Sequence, residues 1–407
     1  VGRGKRAESG GSVWGRVQRA VQPVWLFARK HKVVVIPAGA GVLVLAAALI
    51  VFFGFGGAPE ELPEPSPEPS PVVVSPSPEP SPSPSPEPPP SPEPSPVDFT
   101  ANPLTGLPLA NEDAQGGRPI AVVHNNSYNP GGRQHALPMY GIGQADIIYE
   151  VMAEGNITRM LAFYQEMDDI PKIGAVRSTR TYYVELALAY DAVLVHVGGS
   201  PQALRDIPNW GVSNINAMNQ PATHFWRDYS DRPQSSSEHT LFTSSERLTE
   251  IYEKIPRQTV AEGFDNGLRF SDGLRIDGEP AESVRVPFSN SKSTTFDFDA
   301  DDGLYYVGQY GAPFIDGADG EQIAVTNVLV VQTTIRVIDS EGRLSVDLQS
   351  GGHGYYVTGG QAVPVTWSRD AHNAPFRYFG AGGEPLEVFP GKTFVCVIPT
   401  NQTPVFE

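Results

Sequence analysis

The stretch DAVLVHVGGSPQALRDI, residues 191–207, contains a complete strand-to-helix junction. The apolar run at 192–197 predicts a buried strand. Gly198-Gly199 ends it, Ser200 stands as an N-cap, and Pro201 occupies the first helical position, where a fixed φ and a missing N–H suit a helix start. The glycine pair permits close backbone approach, and the first N–H groups of the helix lack intrahelical partners. Such a junction is expected to receive an anion. GAVRSTR, residues 174–180, repeats the order: an apolar run, then Ser178 and Thr179 at the expected start of a helix. That helix runs through TYYVELALAY, where Tyr183, Leu186 and Tyr190 at helical spacing predict an amphipathic face. Strand, helix and strand in succession predict an α/β domain. Ligands of open α/β sheets sit outside the carboxyl ends of strands, so the two junctions are expected to face one cleft.

The residues that crowd this cleft are cationic. Arg177 and Arg180 stand in GAVRSTR, and Arg159 in EGNITR upstream. A guanidinium is a planar fork suited to phosphate or carboxylate. The ligand-binding candidates are therefore Arg159, Arg177, Ser178, Arg180, Gly198, Gly199 and Ser200. Asn125 and Asn126, beside His124 at the end of RPIAVVHNN, are placed to line the cleft. Glu154 and His239 are candidate proton carriers should the site be catalytic. The competing reading pairs the arginines with Glu150, Glu154 or Asp146 and makes them ties between strands.

The apolar runs RPIAVVHNN, ADIIYEVMAEG, ITRMLAFYQ and DAVLVHVGG predict the strands of an α/β domain over 97–265, closed by a helix in SSERLTEIYEKI (244–255). From 285 to 407 the pattern becomes short β runs joined by Asp-Gly, Gly-Gly and Pro-Gly turns, ending in PLEVFPGKTFVCVIP (385–399). This mostly-β half is either a second domain or a sheet that completes the first.

The N-terminal part differs in kind. Residues 1–32 hold eight Lys or Arg and one acid, and Val33 to Pro59 holds no charge. The segment 33–55 fits a membrane helix of about 20 residues, with the basic leader 1–32 in the cytoplasm and the remainder outside. A cleaved signal peptide is the alternative, but its apolar region is shorter. Residues 59–96, almost all Pro, Ser and Glu, predict a disordered stalk in extended polyproline II. The chain's net charge is −17. The leader's excess and the stalk's seven glutamates cancel, so residues 97–407 carry 21 Lys or Arg against 38 Asp or Glu. That acidity excludes nucleic acid as a partner, which would need a broad cationic face. A cationic site here must be local.

Other constellations are weak. The single cysteine, Cys396, permits no disulfide within the chain and no cysteine zinc cluster. His124, His135, His196, His224, His239, His353 and His372 show no H-x-x-x-H or H-E-x-x-H spacing, so no metal and no cofactor are expected. His196, within an apolar strand, reads as a core histidine. HVGGSPQ has Gln202 where a nucleophile elbow needs Gly, so Ser200 reads as a cap. Asp302-Gly303 reads as a hairpin turn rather than part of a calcium loop.

Taken together, NPLTGLP (102–108), RPIAVVHNN, RQ (133–134), ADIIYEVMAEGNITR, GAVRSTR, HVGGSP, EHT (238–240), NVLVVQ (327–332), VTWSR (365–369) and PLEVFPGKTFVCVIP resemble the DUF3048, or YerB-like, family. The resemblance spans nearly all of residues 100–400 and implies a two-domain envelope protein, often a lipoprotein. The chain departs from it twice. It has an apolar span where lipoproteins carry an acylated cysteine, and Phe314 stands where a histidine is expected before Asp316. The leading expectation is a membrane-anchored envelope protein that binds an anionic envelope polymer or a small anionic ligand. An enzyme acting on such a polymer and a protein-binding scaffold are the alternatives. Protease added to intact cells is expected to cut the stalk and release a folded fragment beginning near residue 97; release only after lysis would reverse the assigned orientation.

Overall fold

The computed structural model describes residues 101–407; the predicted leader (1–32), span (33–55) and stalk (59–96) lie outside them. Among the described residues no helix is long and apolar enough to cross a membrane. The principal strands, in chain order, are β1 (Ile120–Asn126), β2 (Ile147–Met152), β3 (Thr158–Tyr164), β4 (Val193–His196), β5 (Asn214–Asn216), β6 (Ser283–Ser289), β7 (Lys292–Asp299), β8 (Leu304–Gln309), β9 (Asn327–Thr333), β10 (Gly352–Thr358), β11 (Gln361–Ser368), β12 (Arg377–Phe379) and β13 (Thr393–Pro399). The helices are α1 (Thr181–Ala189), α2 (Pro201–Asn209) and α3 (Ser245–Tyr252).

One sheet runs through both halves of the sequence, in the order β12-β11-β10-β9-β13-β2-β3-β1-β4-β5. Its pivot is β13, which pairs in parallel with β9 on one side and β2 on the other. The strand is apolar on both faces because both are covered. Phe394, Cys396 and Ile398 enter one core, while Val395 and Val397 enter the other. The mostly-β half thus completes the first sheet with five of its strands. It also supplies a second sheet around β6, β7 and β8, whose β7–β8 hairpin turns at Gly303 with φ 77°.

The two cores lie on opposite faces of the shared sheet. On one, Val122, Ile148 and Met160 meet Val286, Phe288 and Phe296 of the second sheet. On the other, Val123, Tyr149 and Leu161 meet Tyr183 and Leu186 of α1 and Ala203 of α2. The amphipathic reading of α1 needs correction. Tyr182, Tyr183, Val184, Glu185, Leu186, Ala187 and Ala189 are all buried, because the chain around Gln349 and Arg369 covers the face expected to be wet. Its start also shifts: the N-cap is Arg180 rather than Ser178 or Thr179. The helix expected in 244–255 is α3, capped by Ser244, which accepts from the Arg247 N–H.

The two sheets are joined through an ion pair. Glu150 of β2 and Lys292 of β7 meet at 2.8 Å with side chains 0% and 2% exposed. Glu150 also accepts from Asn126, Thr158, Thr294 and Gln309, so both carboxylate oxygens are satisfied. Removing one partner of such a pair strands the other charge in the core. Lys292→Met is therefore expected to cost about 3–5 kcal/mol in urea unfolding. Adding Glu150→Gln, which keeps a neutral acceptor in place, is expected to recover most of that loss.

Candidate functional site

GAVRSTR crosses the carboxyl end of β1. The Asn125 N–H donates to the Ala175 carbonyl at 2.9 Å, and the Arg177 N–H to that of Val123 at 2.8 Å. It then runs beside the Gly198-Gly199 junction: the Thr179 N–H donates to Gly198 O, and the Ser200 N–H to Thr179 O, each at 3.1 Å. The two junctions are laced together by their main chains. This lacing consumes much of what the glycines offered. The Gly198 N–H is bonded to Asn216 Oδ1, and Ser200 Oγ caps the Ala203 N–H. Gly199 lies so close to Thr179 that a Cβ there would sit 2.9 Å from Cγ2. Gly198, Gly199 and Ser200 are thus the wall of the site, with their polar groups largely engaged.

The three arginines come together. Arg159, whose side chain is 4% exposed, reaches Glu154 at 3.2 Å and donates to the Ser178 carbonyl at 2.9 Å. Arg180 Nε meets the other Glu154 oxygen at 2.5 Å, and its Nη1 donates to Thr179 O. Arg177 pairs with Glu238 at 3.0 Å. Burial, with Arg180 close by, lowers Arg159 to about 10. Burial pulls the Glu154 carboxyl up, yet Arg180 and Arg159 hold it below the usual range. Three guanidinium groups here share two carboxylates. Glu150 and Asp146 play no part: Glu150 belongs to Lys292, and Asp146 accepts from Asn102 and the Gln165 N–H.

His239 closes the cluster. The Asn125 amide donates to its Nδ1 at 2.5 Å, and Ser127 Oγ lies 3.3 Å from the same nitrogen. With Nδ1 accepting, the proton of the neutral ring sits on Nε2, 3.4 Å from Glu238 Oε1. Burial and the neighbouring Arg177 push His239 down to about 4. Asn126, the next residue of β1, faces the opposite side of the sheet and serves the Glu150 network. His124 also faces that side, fully buried beside Tyr164. Arg159 Nε, Arg177 Nε, Asn125 Oδ1 and His239 Nε2 are buried without a hydrogen-bond partner. Natural structures rarely leave such groups unmatched, and these four fall within one cluster.

A cavity of about 300 Å³ opens beside Arg180, between the starts of α1 and α2 and the 335–346 hairpin. Arg205, Arg343 and Glu185 line it. The sequence reading did not single them out: Arg205 and Glu185 fall inside helices, and Arg343 lies more than one hundred residues away in the other half. Burial pushes Glu185 up to about 7, opposed by its Arg369 partner at 3.1 Å. Asp316 is a structural residue, accepting from the Gly141, Gly143 and Ala318 N–H groups. His196 is satisfied by Gly198 O and Asn214. No three His, Cys, Asp or Glu side chains among the described residues are placed to hold a metal ion.

Residues 104–259 match the family model described as protein of unknown function (DUF3048) N-terminal domain, and residues 284–395 match its C-terminal domain. The chain belongs to the DUF3048 family. It is 31% identical over 307 residues to the Bacillus subtilis (strain 168) protein named "Putative lipoprotein YerB", an alignment covering 73% of this chain and 86% of that protein. The crystal structure of the YerB protein from Bacillus subtilis is similar at a TM-score of 0.62 and 29% identity, over 75% of this chain and 99% of that one. The boundary between the two family domains, near residues 259–284, separates lengths of chain that the structure joins again in one sheet.

The buried histidines predict an acid response. His124 is pushed down to about 3 and His239 to about 4, both chiefly by burial, from 6.5. Between those values and 6.5 the unfolded chain binds more protons than the folded one, so stability falls as pH falls. Against the opposite slope from Asp146 and Glu185, which burial raises to about 6 and about 7, the two histidines are expected to give the melting temperature a downward slope from pH 6.5 towards pH 4. His124→Gln, whatever its cost at neutral pH, is expected to flatten that slope.

Proposed function

We propose that this chain is a membrane-anchored protein of the cell envelope whose α/β half, within 97–265, binds an anionic ligand at the Arg159–Arg177–Arg180 cluster. The YerB relative's name supports the envelope location. The basic leader and the charge-free run 33–55 support a single span with the N-terminus in the cytoplasm, and the stalk 59–96 holds the folded part outside. A β-rich domain over 285–407 completes this organisation.

The observation that carries the binding reading is the charge imbalance. Three largely buried guanidinium groups share two carboxylates, with unpartnered N–H groups left on Arg159 and Arg177. A buried cation without a counter-charge is costly. In a chain of net charge −17, an additional acid would have been easy to place. An incoming anion supplies the missing charge, and Asn125 and His239, neutral and fixed in orientation, flank its place.

Arg177 is the informative residue, because its partner Glu238 is half exposed and does not need the pair to stay solvated. Arg177→Ala is expected to weaken inorganic phosphate and phosphate-bearing wall fragments tenfold or more, matching about 1.5–3 kcal/mol for a charge-assisted hydrogen bond. The melting temperature should move little, and Lys should rescue only partly because it lacks the planar fork. Titration calorimetry and thermal melting on the same variant are the measurements. Unchanged affinity with a lowered melting temperature would make the cluster a structural clamp.

A further inference from the structure

The cavity beside Arg180 narrows the ligand once its unused hydrogen-bonding groups are counted. Arg180 spends Nε and Nη1 on Glu154 and backbone carbonyls, and its Nη2 has no partner among the described residues. Among the described residues Arg205 makes one hydrogen bond, to Gln202 Oε1, and no ion pair. Arg343 spends Nη1 on Asp339, and its Nη2 lies 3.8 Å from the exposed Glu341, leaving Nε without a hydrogen bond among the described residues. Asp339, the nearby acid, is occupied: its oxygens accept from the Glu341 and Arg343 N–H groups and from the Arg343 side chain. Asp206 behind them is taken by Thr181 and Gln202. On the acceptor side Glu185 stands out. Gln349 and Arg369 both bond to its Oε2, and Oε1 has no hydrogen-bond partner among the described residues.

The wall therefore offers three guanidinium groups with free donors and one free carboxylate oxygen. A peptide or an amine would present several donors and find a single unpartnered carboxylate oxygen. A bare anion would leave Glu185 unmet. The volume, about 300 Å³, lies at the lower end of small-molecule sites, which suits one unit rather than a length of polymer. We infer that this cavity receives a phosphorylated polyol or sugar unit, its phosphate between Arg180, Arg205 and Arg343 and one hydroxyl donating to Glu185 Oε1. The inference rests on the anion-binding reading above through Arg180, which the cluster and the cavity share, and makes the cavity a second anion subsite beside the cluster.

The test is titration calorimetry on the full chain in detergent with inorganic phosphate, glycerol 3-phosphate and glycerol as probes. Glycerol 3-phosphate is expected to bind about tenfold more tightly than phosphate, and glycerol alone not detectably. Arg205→Ala, at an exposed residue with one side-chain partner, is expected to weaken glycerol 3-phosphate about tenfold. Ser345→Tyr, at an exposed position on the cavity wall, is expected to block it while the melting temperature holds. Equal affinity for phosphate and glycerol 3-phosphate would overturn the inference and leave the anion reading intact. So would glycerol 3-phosphate binding indifferent to both substitutions. Failure of both anions to bind would overturn the anion reading as well.

Discussion

The buried pairing of Glu150 with Lys292 is the constraint around which the two sheets are arranged. Each charge sits where water cannot reach it, so each is tolerable only with the other in place. That requirement fixes how the second sheet lies on the first, since a shift of one residue would turn Lys292 to the other face of its strand. The consequence reaches the candidate site through β1. Asn126 answers to Glu150 on one face, and Asn125, its neighbour, holds His239 on the other. Side chains of adjacent strand residues point to opposite faces, so the knot that joins the sheets also sets the position of the amide that orients the histidine.

The arginine cluster balances structure against binding. Glu154 alone makes two of its three cationic contacts, and it is presented by a tight turn in which Gly155 and Asn156 adopt φ of 74° and 60°. Left-handed backbone at consecutive residues lets β2 double back into β3 through the short connection 153–157, so the carboxylate arrives between the guanidinium groups rather than beyond them. Glu154 offsets much of the repulsion between Arg159 and Arg180, and a third arginine on the same cluster keeps the local charge positive. The overall acidity of the chain then acts at longer range, where salt screens it over roughly 8 Å, while the cluster dominates at contact.

Much of this was legible from local sequence. The Gly198-Gly199 junction, the strand leading into it and the helix within 244–255 follow from residue types whose preferences act over a few positions. The meeting of the junctions was also legible, because α/β sheets bring strand ends to one side. The pairing of charges was not. Lys292 sits in a Ser- and Thr-rich turn that reads as solvated, and its partner lies in the other half of the chain. The burial of α1 was hidden for the same reason: what covers its outer face is Gln349 and Arg369. The cavity beside Arg180 depends on the 335–346 hairpin, which no feature of the helices announces. Parallel pairing of β13 with β2 left no local trace either, since parallel neighbours need no shared turn.

The central position of β13 also bears on the order of folding. β1, β2 and β3 can pair as soon as they are made, with α1 and β4 following close behind in the chain. The free edge of β2 must wait for β13, roughly 240 residues downstream between Met152 and Thr393, a long-range closure of the kind that slows folding. Until then the nascent sheet presents a long, apolar, unpaired edge of the kind that recruits other chains. The last strand to dock is the one that ends that exposure.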